Sequence, residues 1–443
     1  MFKCIAMGGV STRFVTAAVM LVLGFSAASA AMGTDVFGGG ATLPAGAYVG
    51  FNFLNPALKQ SANTAFPTSG VAAVSSTSLF GAWAARTGNK VSYCQTGSSN
   101  GKKIFDNFDG TNHFTAIGAC DGTSIGFGAP SNILVNPHFA GSDAPMSVAD
   151  YSGFLMGGKV VANGQPVQFP TLAGSIAVIY RKDSLSTPLN LTSAQVCGVF
   201  NGSITQWSAL TGNASDTSTI KVAFRSDGSG TSFSLANHMA AACAGTASQH
   251  FIVDQSFATA ISQYKPTIPS GWVGVTGSPT VVAAVESADG TIGYAESANL
   301  KAAASTVPHV KYATVGGKDP YADFPASLAV LWLIDRALSA VPDAKSGRPI
   351  VAAVTPNVAP RCLLLVDPAA YANITSRYPI MGVSYLLANY QGNGADVAAV
   401  RGLIGSAYGD HSNVDTVGPN TGYAFLFGGP LLNQDAVDAC VNP

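Results

Sequence analysis

Apolar positions fall in short clusters along this chain, and several clusters give way to glycine and hydroxyl residues before a helical spacing begins. Asp35-Val36-Phe37 reads as a short strand running into Gly38-Gly39-Gly40-Ala41-Thr42-Leu43-Pro44. Pro44 suits the first turn of a helix carrying Ala45, Ala47, Tyr48 and Phe51. Val91 and Tyr93 alternate with polar neighbours as in a strand, which feeds Gly97-Ser98-Ser99-Asn100-Gly101 and a helix from Lys102. Lys221-Val222-Ala223-Phe224 is the third such lead, passing through Arg225-Ser226-Asp227-Gly228-Ser229-Gly230-Thr231 into a helix over Ser232–Ala241. Ser175–Tyr180, Gly290–Ala295 and Tyr378–Leu387 add strands, and Leu191–Val196 reads as a helix start capped by Thr192 or Ser193. Strands alternating with helical stretches predict α/β sheets. Phe324–Val341 is apolar but broken by Asp335 and Arg336, which predicts a buried or amphipathic helix rather than a membrane span. Asn107–Pro137, rich in Gly, Asn, Thr and Asp, reads as an inserted loop around Cys120.

Charge changes this picture little. Charged residues make up 10% of the 443 and the net charge is −1, so no footprint for nucleic acid or an anionic membrane is present. The 47% apolar fraction points instead to the N-terminus. There Lys3 and Arg13, the apolar Phe14–Phe25 and Ala28-Ser29-Ala30 read as a secretory signal over residues 1–30, cleaved on export to the periplasm or medium. Cleavage removes Cys4 and leaves Cys94, Cys120, Cys197, Cys243, Cys362 and Cys440, an even set suited to disulfides in an oxidising compartment. Several pairings are open, and the one adopted joins neighbours: Cys94 with Cys120, Cys197 with Cys243, Cys362 with Cys440. No C-x-x-C or H-E-x-x-H spacing occurs and the six histidines are scattered, so no metal is expected.

The chemistry concentrates where strands meet helices. A helix start leaves N–H groups unpaired and partly positive, which seats an anion. Three such starts built from Gly, Ser and Thr would surround one small anion at the carboxyl ends of an α/β sheet. Arg225 adds full charge, and Asp227, two residues on, faces the same way and would hold the guanidinium in a bidentate pair. Asp143, in the turn Gly141-Ser142-Asp143-Ala144-Pro145, discriminates among anions. A carboxylate beside an anion is repulsive unless the anion brings a proton. Phosphate keeps one at neutral pH and sulfate does not. Two enzyme signatures compete. Gly97–Gly101 fits G-x-S-x-G, with Asp143, His238 and His250 as nominal partners, but no histidine carries a signal of its own. A Walker A ending is absent. Trp83, Trp207 and Trp272 read as core or hinge packing.

On these residues the chain resembles the PstS-like phosphate-binding proteins of bacterial ABC transporters, with a lean to the DING branch, over most of its mature length. Gly39-Gly40-Ala41-Thr42-Leu43-Pro44 is similar to the family's first phosphate loop, Thr87–Tyr93 with Gly97-Ser98-Ser99 to the second, and Ser142-Asp143-Ala144-Pro145 to the segment of the proton-accepting acid. Arg225, Asp227, Ser229, Gly230 and Thr231 match R-x-D-G-S-G-T. Val196–Trp207 and Gly290–Tyr294 resemble family segments without ligand roles. Asp35-Val36-Phe37-Gly38 stands where the DING branch has Asp-Ile-Asn-Gly, and the insertion between Ser98 and Asp143 is longer than in compact receptors. The resemblance implies a two-lobed, type II periplasmic binding protein fold with two hinge crossovers and the ligand in the cleft. Lobe 1 would be residues 31–172 plus 375–443 and lobe 2 residues 173–374. It implies phosphate ligands Thr42, Leu43, Ser98, Asp143, Arg225, Ser229, Gly230 and Thr231, with Asp227 behind Arg225. A monomer with no cofactor would pass phosphate to permease subunits in the membrane. A secreted phosphomonoesterase of the same family is the alternative, and an extracellular scaffold or inhibitor a weaker third.

Overall fold

The computed structural model describes residues 34–51, 59–60, 72–106, 137–243, 245–357, 359–428 and 432–443. The expected signal and the insertion with Cys120 lie outside the described residues, and with Cys120 the expected Cys94–Cys120 pair.

The apolar clusters form two groups of parallel strands. β1 (Asp35–Gly40) lies between β2 (Lys90–Cys94) and β3 (Phe139–Ser142), parallel to both. β4 (Pro166–Arg181) follows, a single strand where the sequence predicts only Ser175–Tyr180. The second group has β5 (Lys221–Arg225) between β6 (Val273–Val275) and β7 (Thr291–Glu296), again parallel.

The apolar run at 324–341 is not a helix. It holds three short strands, β8 (Ser327–Ala329), β9 (Trp332–Ile334) and β10 (Arg336–Leu338), with Asp335 at a positive φ of 55° between the last two. β10 pairs with β11 (Val351–Ala353) and β9 with β12 (Leu364–Val366). Tertiary pairing thus overrides the helix propensity of a Leu- and Ala-rich run. Among the described residues no helix is long and apolar enough to cross a membrane.

β13 (Met381–Asn389) and β14 (Tyr423–Phe427) join the sheet, whose central order is β2-β1-β3-β13-β4-β7-β5-β6, with β14 on β4, β8 on β14 and short pairings by Lys59–Gln60 beyond β2 and Lys311–Tyr312 on β4. β13 and β4 are antiparallel to each other and to the groups they flank, so this pair carries the chain between the two parallel groups. Every residue of β13 is buried, as is all of β4 except Arg181, which explains their near-continuous apolar sequence. Their register slips beside Pro170: Tyr385 faces Pro170 and Ser384 faces Leu172, skipping Thr171. A bulge is where a residue without an N–H is tolerated in a central strand.

The helices that matter for the site begin where parallel strands end. These are α1 (Ala45–Val49) after β1 and α2 (Ser98–Asp106) after β2, the latter four residues earlier than the sequence predicts. α3 (Ser193–Phe200) is capped by Thr192 in a capping box with Gln195. α4 (Gly230–Ala242) follows β5, α5 (Ser278–Ser287) follows β6, and α6 (Ser297–Ala303) follows β7. A disulfide joins Cys197 in α3 to Cys243 at the end of α4. Another joins Cys362 to Cys440, the last residue of α7 (Gln434–Cys440).

Candidate functional site

Within each parallel group the carboxyl ends lie on one side, and the two groups run in opposite directions along β4. β3 ends at Ser142, level with Pro170, and β7 ends at Glu296, opposite Ile176, so the ends of β1, β2, β3, β5, β6 and β7 face one another across the middle of β4. Thr42 and Leu43 follow β1, Ser98 follows β2, Asp143 follows β3, Arg225 ends β5, Ser278 follows β6 and Glu296 ends β7. All of these are buried.

Glycine lets the loops approach. A Cβ on Gly230 would lie 2.4 Å from the Asp143 Cβ and 2.6 Å from the Ser98 Oγ. Gly97 has a φ of +87°, and a Cβ there would sit 2.9 Å from Asp227 Oδ2. The loop after β2 also meets the loop after β5 through Ser99 N–H, which donates to the Gly228 carbonyl at 3.2 Å.

Arg225 is 1% exposed and anchored at both ends. Its Nε donates to Asp227 Oδ1 at 2.6 Å and its Nη2 to Asp227 Oδ2, a bidentate pair. Nη1 donates to Ser278 Oγ at 2.7 Å and to Thr42 Oγ1 at 3.2 Å. Four of the five guanidinium N–H groups are therefore committed, which fixes the plane of the cation and leaves one N–H on Nη2. Burial alone would raise the Asp227 carboxyl, but the Arg225 charge holds it below the usual carboxylate range, helped by the Gly277 N–H.

Asp143 is wholly buried. Ser384 Oγ donates to its Oδ1 at 2.5 Å and Ser98 Oγ to its Oδ2 at 3.3 Å, while Asp143 N–H donates to Ser98 Oγ at 2.9 Å. Burial pushes the carboxyl up to about 7, with Glu296 adding to the rise and Ser384, the Leu43 N–H and Ser98 opposing it. Asp143 is thus poised near neutrality, either accepting or sharing a proton.

At α4, Ser229 is the N-cap. Its Oγ accepts from the Thr231 N–H at 3.1 Å and the Ser232 N–H at 3.3 Å. The Ser229 hydroxyl proton and the Gly230 N–H remain the donors at this helix start. Thr231 Oγ1 turns the other way, to Glu296 Oε1, which also receives Thr42 Oγ1 at 2.9 Å. Every residue singled out from sequence for the anion thus lies in one contiguous set of contacts.

Sequence reasoning missed Ser278, Glu296, Asn299 and Ser384. Glu296 sits two residues beyond Gly290–Tyr294, read as a segment without a ligand role, and the signal that finds it is its place at a strand's carboxyl end. Ser384 has no such mark, because its place beside Asp143 follows from the long-range pairing of β13 with β3 and β4.

The hydrolase constellation does not assemble. His238 Nδ1 lies 3.1 Å from the Ala372 carbonyl, and burial pushes its imidazole down to about 4. His250 lies against the Thr246 carbonyl and Gln263. Ser99, the serine of G-x-S-x-G, is half-buried against Gly228, and neither histidine hydrogen-bonds to it, while its neighbour Ser98 is bonded to Asp143. Among the described residues no three His, Cys, Asp or Glu side chains gather as a metal site.

Comparison with known proteins adds family to geometry. A family model for the PBP superfamily domain matches residues 55–399. Two proteins named alkaline phosphatase L from Pseudomonas aeruginosa are each 30% identical. One aligns over 272 residues, 61% of this chain and 59% of that relative, and the other over 338 residues, 74% and 78%. A phosphate-binding protein from an unknown prokaryotic organism is 29% identical over 299 residues, 63% of this chain and 74% of the relative. Among solved structures, a high-affinity periplasmic phosphate-binding protein (PfluDING) bound with phosphate is 25% identical. It covers 92% of this chain and 93% of its own, with a TM-score of 0.60. A phosphate-binding protein from Stenotrophomonas maltophilia is also 25% identical, with the same coverage and a TM-score of 0.55.

Proposed function

Because this chain belongs to the PBP superfamily, among its PstS-like phosphate-binding proteins, we propose that it binds inorganic phosphate outside the cytoplasm and delivers it to an ABC-type permease. The observation that carries this reading is that buried Arg225, bonded to Thr42, and buried Asp143, bonded to the Leu43 N–H and packed against Gly230, are tied to the same loops across the strand ends. The guanidinium supplies charge for an oxyanion. The carboxyl supplies the acceptor that only a protonated oxyanion satisfies. The donors left to the anion are the Ser229 hydroxyl, the Gly230 N–H and the remaining Nη2 N–H of Arg225, while Thr42, Leu43, Ser98 and Thr231 line the cradle with their protons engaged by Glu296 and Asp143.

In this reading β4 and β13 are the two crossovers. Residues 31–172 with 375–443 make one lobe and 173–374 the other, with strands β8 to β12 reaching across to the first. The cleft closes by rotation about the crossovers. The protein acts as an exported monomer, and its partners are the permease's membrane subunits.

A phosphomonoesterase reading draws on the name of the two Pseudomonas relatives. It requires a base on Ser99, the serine of G-x-S-x-G, and His238 and His250 are bonded elsewhere. Steady turnover of a phosphate ester, lost in Ser99→Ala, would favour it over binding. The binding reading is tested by titrating phosphate into Arg225→Ala. Removing charge from a desolvated site is expected to weaken binding by about 2–5 kcal/mol. Affinity equal to that of the unaltered protein would place the site elsewhere.

A further inference from the structure

Glu296 brings a second fully buried carboxylate into the cradle, and phosphate recognition as described assigns it no role. Its Oε1 receives two hydroxyls, Thr42 Oγ1 at 2.9 Å and Thr231 Oγ1, while Asn299 Nδ2 donates to Oε2. Thr42 Oγ1 meanwhile accepts from Arg225 Nη1. A threonine hydroxyl carries a single proton, so one given to Glu296 is not available to an anion. Thr42 and Thr231 stand on opposite parallel groups, and Glu296 joins them through a single oxygen.

We infer that Glu296 is an internal competitor for the ligand: it holds the hydroxyl protons of Thr42 and Thr231 and thereby sets the affinity of the site. This rests on the phosphate reading above. The charged and titratable groups that face Glu296 are Arg225 from β5, Asp143 from the end of β3 and Tyr423 from β14. Arg225 is the cation among them, and its Nη1 donors go to Thr42 and Ser278 rather than to Glu296. The carboxylate therefore depends on the threonines and Asn299 for its hydrogen bonds, which is why it holds their protons.

Glu296→Gln separates competition from scaffolding. Asn299 donates at Oε2, so the glutamine oxygen settles there and its amide turns to the threonines as a donor, freeing their hydroxyl protons for the ligand. Calorimetric titration of the full chain is expected to show phosphate bound roughly tenfold more tightly by the variant. A double-mutant cycle with Thr231→Val identifies the route. Most of the gain disappears in the valine background if the threonine proton is what Glu296 withholds. Unchanged or weaker binding by Glu296→Gln overturns the inference, as does an undiminished gain without the Thr231 hydroxyl, which would mean charge acting at a distance. Glu296→Met, which fills the space without an acceptor, takes the same test where the amide variant fails to fold. Absence of phosphate binding by the unaltered protein would overturn the underlying reading too, whereas binding there with no gain in the variants overturns this inference alone.

Discussion

Asp143 shows how burial changes the chemistry of a common turn residue. In the ligand-free protein its carboxyl is pushed up to about 7 by loss of water, so near neutrality it is part acid and part carboxylate. The folded protein binds this proton more tightly than the unfolded chain does. Its contribution to stability is therefore complete below the ordinary carboxylate range near pH 4, falls as pH rises, and is gone above about 7. At roughly 1.4 kcal/mol per unit, the ionised form costs a few kcal/mol at pH 8. Asp143→Asn carries no such burden. Denaturant unfolding without phosphate should find this variant gaining stability relative to the unaltered protein between pH 4.5 and pH 8. A constant difference across that range would mean that Asp143 titrates normally. Asp143 was legible because an acid beside an anion seat demands an explanation. Glu296 was not, because an acid ending an ordinary strand demands none until the parallel order of β5, β6 and β7 is known.

At the scale of elements, the strand–loop–helix units at Thr42, Ser98 and Arg225 could be read from composition, because glycine and hydroxyl residues between apolar leads and helices have few other uses. Helix starts were read late: α2 and α4 begin at Ser98 and Gly230, inside loops whose glycines suggested a delay. The apolar run at 324–341 misled for the opposite reason. Its local pattern favours a helix, while pairing with three different segments makes it strands. Gly230 is where loop composition and site geometry meet, since α4 can approach Asp143 and Ser98 only without a Cβ. Gly230→Ala should weaken phosphate binding about a hundredfold, because the two parallel groups can no longer close to hydrogen-bond distance. Titration with near-normal affinity would show that the helix start has room to spare.

At the scale of the molecule, two parallel groups face each other across β4 and β13, and neither group alone holds both Arg225 and Asp143. α/β class and strand-end chemistry were readable from sequence. The sixteen-residue β4, its slip at Pro170 and the return of β13 between the groups were not, because these are long-range pairings with no local signature. In the proposed reading, recognition follows from the buried Arg225 cation, the buried Asp143 acceptor and neutral donors around them. It predicts selection by protonation state, since phosphate and sulfate share shape and differ in the proton. Calorimetric titration of the full chain with each anion at about pH 8.5, where Asp143 is ionised and phosphate still carries a proton, tests this most directly. The account predicts phosphate binding at one site per chain, with sulfate at least about a hundredfold weaker. Sulfate bound as tightly as phosphate would contradict it.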